Sequence, residues 1–325
     1  MNAYFMIVLL SFVLFFVVWG LGWLLETLSR YVLSTTRNPG SRAWYMLVGP
    51  GVALHESSHA LGCVFTRTKV VEFKPINVTV EDDRIILGYV RYVNPSSTLK
   101  RAVINLAPVA VSLVLLTFFA LAATYLVPDS HLGGEAIDLW QYLIAIKADP
   151  MLLSNWMLPV EQIGGFVYEF LYAFSGLTVI SPLFWIVAFL AMTIMFSNAP
   201  SDVDIRNAKT GLLFIVIFNI IWLSIAYFLP AAGYVLYGFY ELLAVMFALA
   251  IAFAGLGYGF FILVAGLARI KTPFQLIPLL GCIGAGIALS LQAIGTLAFQ
   301  TVVSIGVLVV LMFILLLMKS TRAME

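Results

Sequence analysis

The sequence predicts an all-α polytopic membrane protein of about eight transmembrane helices, with a small β-hairpin after the helix that carries its one metal-ligand pattern. Three observations lead there. The 325-residue chain is 62% hydrophobic and 10% charged, whereas soluble domains are about half apolar and about a quarter charged, so a soluble fold of this size would lack a polar coat. Mean hydropathy is +1.05, and apolar runs long enough to cross about 30 Å of hydrocarbon recur from Tyr4 to Met318. Only between residues 69 and 93 does the pattern change, to β-branched and aromatic residues around a polar turn.

Composition also excludes partners. A net charge of +1 gives no basic surface for nucleic acid. The two cysteines, Cys63 and Cys282, each sit in an apolar segment, which suggests neither a disulfide framework nor a cysteine-rich metal site. The first apolar run is followed by Glu26 and Arg30 rather than a small-residue cleavage site, so it reads as a retained span.

Hydropathy places the spans at 4–27, 44–66, 102–127, 178–197, 211–229, 234–267, 275–297 and 301–318. The last-but-two is long for one crossing, and a break near Gly255 or Gly257 is expected. The apolar stretch 164–177 carries Glu169 and stops before Ser181-Pro182, so it reads as interfacial or re-entrant. With both termini inside, 13 of the 17 Lys and Arg fall on the internal side, as the positive-inside rule asks. The expected location is a prokaryotic cell membrane. Residues 128–163 form an acidic external loop on this layout, with His131 a solvated loop residue.

The hairpin comes from Lys69-Val-Val-Glu-Phe-Lys-Pro-Ile-Asn-Val-Thr-Val80 and Arg84-Ile-Ile-Leu-Gly-Tyr-Val-Arg-Tyr-Val93, flanking Glu81-Asp82-Asp83. The domain reading has three parts: a first helix and external loop at 1–43, a core at 44–210 with the hairpin at 69–93, and a carboxy-terminal bundle at 211–325.

The chemistry is carried by Gly51-Val-Ala-Leu-His55-Glu56-Ser-Ser-His59-Ala-Leu-Gly62. Histidines at i and i+4 of a helix share a face and can hold one Zn²⁺, with the adjacent Glu56 as general base. The chain has three histidines and two are in this motif, while ionisable groups inside a span are costly and usually functional. A third ligand is needed, with a fourth position left open for water. Carboxylates on the same side are the candidates, in Phe196-Ser-Asn198-Ala-Pro200-Ser-Asp202-Val-Asp204. Pro200 breaks the helix there, and irregular backbone in a membrane is tolerated where it lines a cavity. Asp202 or Asp204 completes the site on this reading; the competing one makes Ser201 or Asp202 the cap of the next helix, with Asp204 in its first turn. Glu169 and Glu241 read as interfacial or interhelical groups rather than ligands.

These residues resemble the site-2 proteases, zinc enzymes that cut other proteins within the membrane. His55-Glu56-Ser-Ser-His59 looks like the family's zinc motif, and Gly88-Tyr89-Val90 like a strand of its membrane-associated hairpin. Lys100-Arg101-Ala-Val-Ile-Asn-Leu-Ala107-Pro108 is similar to the Arg-containing run before its Ala-Gly-Pro helix, and Asn198-Ala-Pro200 leading to Asp204 resembles the block that supplies the third ligand. The likeness spans about residues 44–210. The chain departs from the pattern in lacking Gly before Pro108, in having Val111-Ser112 where an Asn is expected, and in lacking Gly after Asp204.

The resemblance implies a zinc metalloendopeptidase acting on membrane-protein substrates near the internal face. His55, His59 and Asp204 would hold Zn²⁺, with Asp202 the alternative ligand, and Glu56 would be the base. Asn198 would bind substrate backbone. The rival reading, supported by the extra carboxy-terminal spans, is a transporter-like or scaffold subunit whose metal site is structural or vestigial.

Overall fold

A computed structural model describes residues 2–35, 42–77, 79–81, 84–86, 88–126, 132–146 and 148–321. His131 and the Asp82-Asp83 turn lie outside them. The chain is helical almost throughout: α1 (Ala3–Thr35), α2 (Arg42–Phe65), α3 (Thr98–Leu126), α4 (Leu132–Ala145), α5 (Pro150–Ser154), α6 (Leu158–Ser175), α7 (Pro182–Ser197), α8 (Asp202–Phe228), α9 (Pro230–Ala268), α10 (Leu276–Leu291) and α11 (Leu297–Thr321). Each expected span coincides with one of these helices. Among the described residues, five (α1, α3, α8, α9 and α11) are long and apolar enough to cross a membrane, and α7 and α10 are shorter apolar helices.

Three expectations are corrected. The acidic segment 128–163 is not a plain loop. It contains α4, whose Leu132, Leu139 and Leu143 are buried at helical spacing. α9 is unbroken, and Gly257 serves packing instead: a Cβ there would lie 3.0 Å from the Met192 backbone, so the missing side chain lets α7 and α9 approach closely. Strict alternation would also make α1 and α9 antiparallel. Their contacts run in the same direction, from Tyr4 with Glu241, through Phe15 with Phe247, to the Leu21 carbonyl with Tyr258.

The hairpin is present but interrupted. β1 (Val70–Lys74) pairs antiparallel with β4 (Tyr89–Tyr92), and β2 (Thr79–Glu81) with β3 (Arg84–Ile86). The Pro75 stretch separates the two ladders, since proline cannot donate to a ladder, and a register shift lies between Val70 and Glu72. On its outer surface Tyr89 donates to Glu72 at 2.8 Å, with the Lys74 ammonium 2.9 Å from the same carboxylate. Lys74 and Tyr89 together hold the Glu72 carboxyl below its ordinary range. Both cysteines are free and buried.

Two glycines seat α2 in the bundle. A Cβ at Gly51 would lie 2.6 Å from Phe196 Cβ and 2.8 Å from the Thr193 carbonyl of α7. One at Gly62 would lie 2.9 Å from Ile104 Cα of α3. Gly51, His55, His59 and Gly62 follow i, i+4 and i+3 steps, so they share one face. That face is pressed against two neighbouring backbones.

Candidate metal centre

The close seating of α2 decides the tautomers of the motif histidines. His55 Nδ1 is 2.8 Å from the Ser197 carbonyl at the end of α7, and His59 Nδ1 is 2.8 Å from the Ile104 carbonyl of α3. A carbonyl can only accept, so each ring carries its proton on Nδ1 and presents a bare lone pair at Nε2. The two Nε2 atoms face one another at 2.9 Å. Neutral rings so arranged repel across that gap, and a cation or an added proton between them is required.

Asp204 completes the cluster. Its Oδ1 is 3.2 Å from His59 Nε2 and its Oδ2 is 3.4 Å from His55 Nε2. All three side chains are buried. The position of Asp204 is fixed by the turn after Pro200. Ser201 is the N-cap of α8, and Asp204 closes a capping box with it. Oδ2 accepts from Ser201 N at 2.8 Å and from Ser201 Oγ at 2.7 Å, which leaves Oδ1 the less engaged oxygen. Asp204 therefore both closes the capping box and lies against the two histidines. Asp202 is the first residue of α8, and its side chain is not among those described.

The donor set fits a tetrahedral divalent ion. Ligand bonds of about 2.0–2.1 Å to N and O imply donor–donor edges of roughly 3.3 Å, against 2.9 Å between the two Nε2 atoms and 3.2 Å from His59 Nε2 to Asp204 Oδ1; the 3.4 Å contact to His55 is made by the other carboxylate oxygen. Nδ1 hydrogen bonds to carbonyls are also the usual outer support of metal-ligating histidines. Among the described residues, His55, His59 and Asp204 form a buried group able to hold a metal ion.

Glu56 is half-buried beside this group. The hairpin backbone lies close to it: a Cβ at Gly88 would come within 3.3 Å of Glu56 Cγ, and the Val90 backbone is within hydrogen-bonding reach of the carboxylate. Asn198 is the C-cap of α7 and 1% exposed. Its Nδ2 reaches only Met195 Sδ, at 3.9 Å, and its Oδ1 has no hydrogen-bond partner. Glu241 is remote from the metal cluster and accepts from Tyr4 across α1 and α9 at 3.3 Å, the interhelical role expected of it. Glu169 is exposed on α6.

Some contributors gave no sequence signal. Ser197 and Ile104 act through backbone carbonyls, which any residue supplies. Ser112 donates to Ser197 Oγ at 3.1 Å and so braces the residue whose carbonyl holds His55. Tyr92 of β4 interacts with Asn105 and Asn207, and burial pushes its hydroxyl pKa up. An aromatic at a strand end carries no hint of that placement.

No family model, no curated protein and no solved structure matches this chain. The class these findings establish is a helical, membrane-embedded protein with a buried His-His-Asp group suited to a metal ion.

Proposed function

We propose that the protein is an intramembrane zinc metallopeptidase that hydrolyses peptide bonds of membrane-protein substrates. The observation that carries this reading is the convergence of two proton-free Nε2 atoms and the Asp204 carboxylate beside Glu56. His55, His59 and Asp204 hold the ion. The chemistry that Zn²⁺ supplies when bound is Lewis acidity toward water and a carbonyl oxygen. Glu56 takes the proton of the attacking water and returns it to the departing amine. The hairpin offers backbone to an extended substrate segment, the form a peptidase must hold. Helix-weakening residues in the substrate therefore favour cleavage, because an intact transmembrane helix satisfies its own backbone. Asn198 is assigned to substrate backbone on its resemblance and on its unpartnered oxygen.

A topology goes with this reading. The shared direction of α1 and α9 requires an odd number of crossings between them; α3, α7 and α8 supply three if α2 enters and leaves on one face. Arg30 and Arg42 then join the hairpin side, so the basic residues of the described helices gather there more strongly. That bias exceeds the one given by strict alternation.

The test is metal content and hydrolysis together. Purified wild-type protein should carry about one zinc per chain and cleave members of a panel of labelled single-span peptides. Glu56→Gln should keep the zinc and lose cleavage. Turnover surviving in that variant removes Glu56 from the mechanism, and zinc without any cleavage in the wild type favours a structural metal site.

A further inference from the structure

We infer that the hairpin backbone from Gly88 to Val90 positions the Glu56 carboxylate, and that Gly88 is the residue on which this depends; the inference rests on the metallopeptidase reading above. A glutamate on the open face of a helix has three side-chain torsions and samples many rotamers. A general base must instead stay within about 2.6–3.2 Å of the proton it takes. On α2 itself the neighbouring Ser57 is exposed and Ser58 bonds back to the Leu54 carbonyl at 2.7 Å, so neither holds Glu56.

The restraint comes from the hairpin. Gly88 lies between the Pro75 carbonyl and Glu56: a Cβ on it would sit 2.5 Å from Pro75 O and 3.3 Å from Glu56 Cγ. The first distance is closer than any real carbon–oxygen contact, so a side chain cannot be accommodated without separating the two arms of the hairpin. Gly88 has no left-handed φ; the requirement is one of space, not of backbone conformation. Two residues on, the Val90 backbone comes within hydrogen-bonding reach of the carboxylate. A side chain at Gly88 would therefore press on the Pro75 carbonyl and the Glu56 side chain at once, and a shift of the strand there moves the Val90 backbone relative to the carboxylate. Gly88 and Val90 are positioning residues.

The experiment uses full-length protein loaded with Co²⁺ and acetohydroxamate as the probe. A hydroxamate bound at such a metal places its hydroxyl against the general base, so its affinity reports where the Glu56 carboxylate is, without any substrate. Binding is read from the cobalt absorption bands, and cobalt stoichiometry is measured alongside. Glu56→Gln and Gly88→Ala should each keep one cobalt per chain and bind acetohydroxamate at least tenfold more weakly. Val90→Ala, which keeps the amide, should stay within twofold of wild type. Val90→Pro, which removes it, should match Gly88→Ala. Gly134→Ala, where a Cβ meets nothing within 4 Å, is the unaffected control. Normal affinity in Gly88→Ala or in Val90→Pro, with Glu56→Gln weakened, overturns the positioning role and leaves the metallopeptidase reading standing. If Gly88→Ala loses its cobalt, Val90→Pro decides. Wild-type protein that takes up no cobalt overturns the metal site itself, a different failure.

Discussion

The molecule holds two buried polar clusters that differ in one respect. Between α1, α8 and α9, Tyr4 donates to Glu241, Ser11 donates to the Ile7 and Tyr240 carbonyls, and Tyr240 donates to Asn219, whose own amide donates to the Ile215 carbonyl at 2.7 Å. Each of these contacts joins a donor to an acceptor. In the metal cluster the donors point outward, from Nδ1 to backbone carbonyls, and two lone pairs and a carboxylate point inward. Both clusters are buried and both lie in apolar helices. Burial and polarity therefore do not separate glue from site. The balance of donors and acceptors does: a balanced cluster ties helices together, and one with acceptors alone calls for a cation.

The largest expected effect follows from that imbalance. Asp204→Ala leaves a two-histidine site and should reduce bound zinc from about one per chain to below a tenth, read by elemental analysis. Asp202→Ala should leave zinc near wild type, and loss there would transfer the ligand role to Asp202. A second all-or-none outcome concerns the α1–α9 pair. Single cysteines at positions 2 and 270, in a background lacking Cys63 and Cys282, should label from opposite faces of the membrane. Labelling from one face restores strict alternation and contradicts the parallel contacts.

Smaller effects sharpen the same contrast. Gly62→Ala forces a methyl against Ile104 Cα and should cost about 1–3 kcal/mol by overpacking. Because that contact also delivers the carbonyl that holds His59, zinc affinity should fall together with thermal stability. Ser11→Ala removes one interhelical hydrogen bond of the balanced cluster and should cost about 0.6 kcal/mol, with zinc content unchanged. A metal loss in Ser11→Ala would mean the two clusters are coupled and the distinction between them is wrong.

Much of this was legible in the sequence because it depends on local spacing. The i, i+4 histidines share a helix face wherever that helix sits, apolar runs of 20 residues mark spans in any arrangement, and Pro200 ends a helix by its own chemistry. The β-branched run around Glu81-Asp82-Asp83 announced a hairpin for the same reason, although Pro75 split it into two ladders. Asp204 was narrowed to one of two carboxylates, and spacing could go no further, since neighbours two positions apart compete on equal local terms. What tertiary structure alone decided is everything that passes through backbone. The Ser197 and Ile104 carbonyls that fix the histidine tautomers, the α1–α9 direction, and the approach of Gly88 to Glu56 all join residues distant in the chain through groups that every residue possesses. Such contacts leave no side-chain pattern to read, apart from the glycines at 51, 62 and 88, whose missing Cβ shows its purpose only once the opposing backbone is in place.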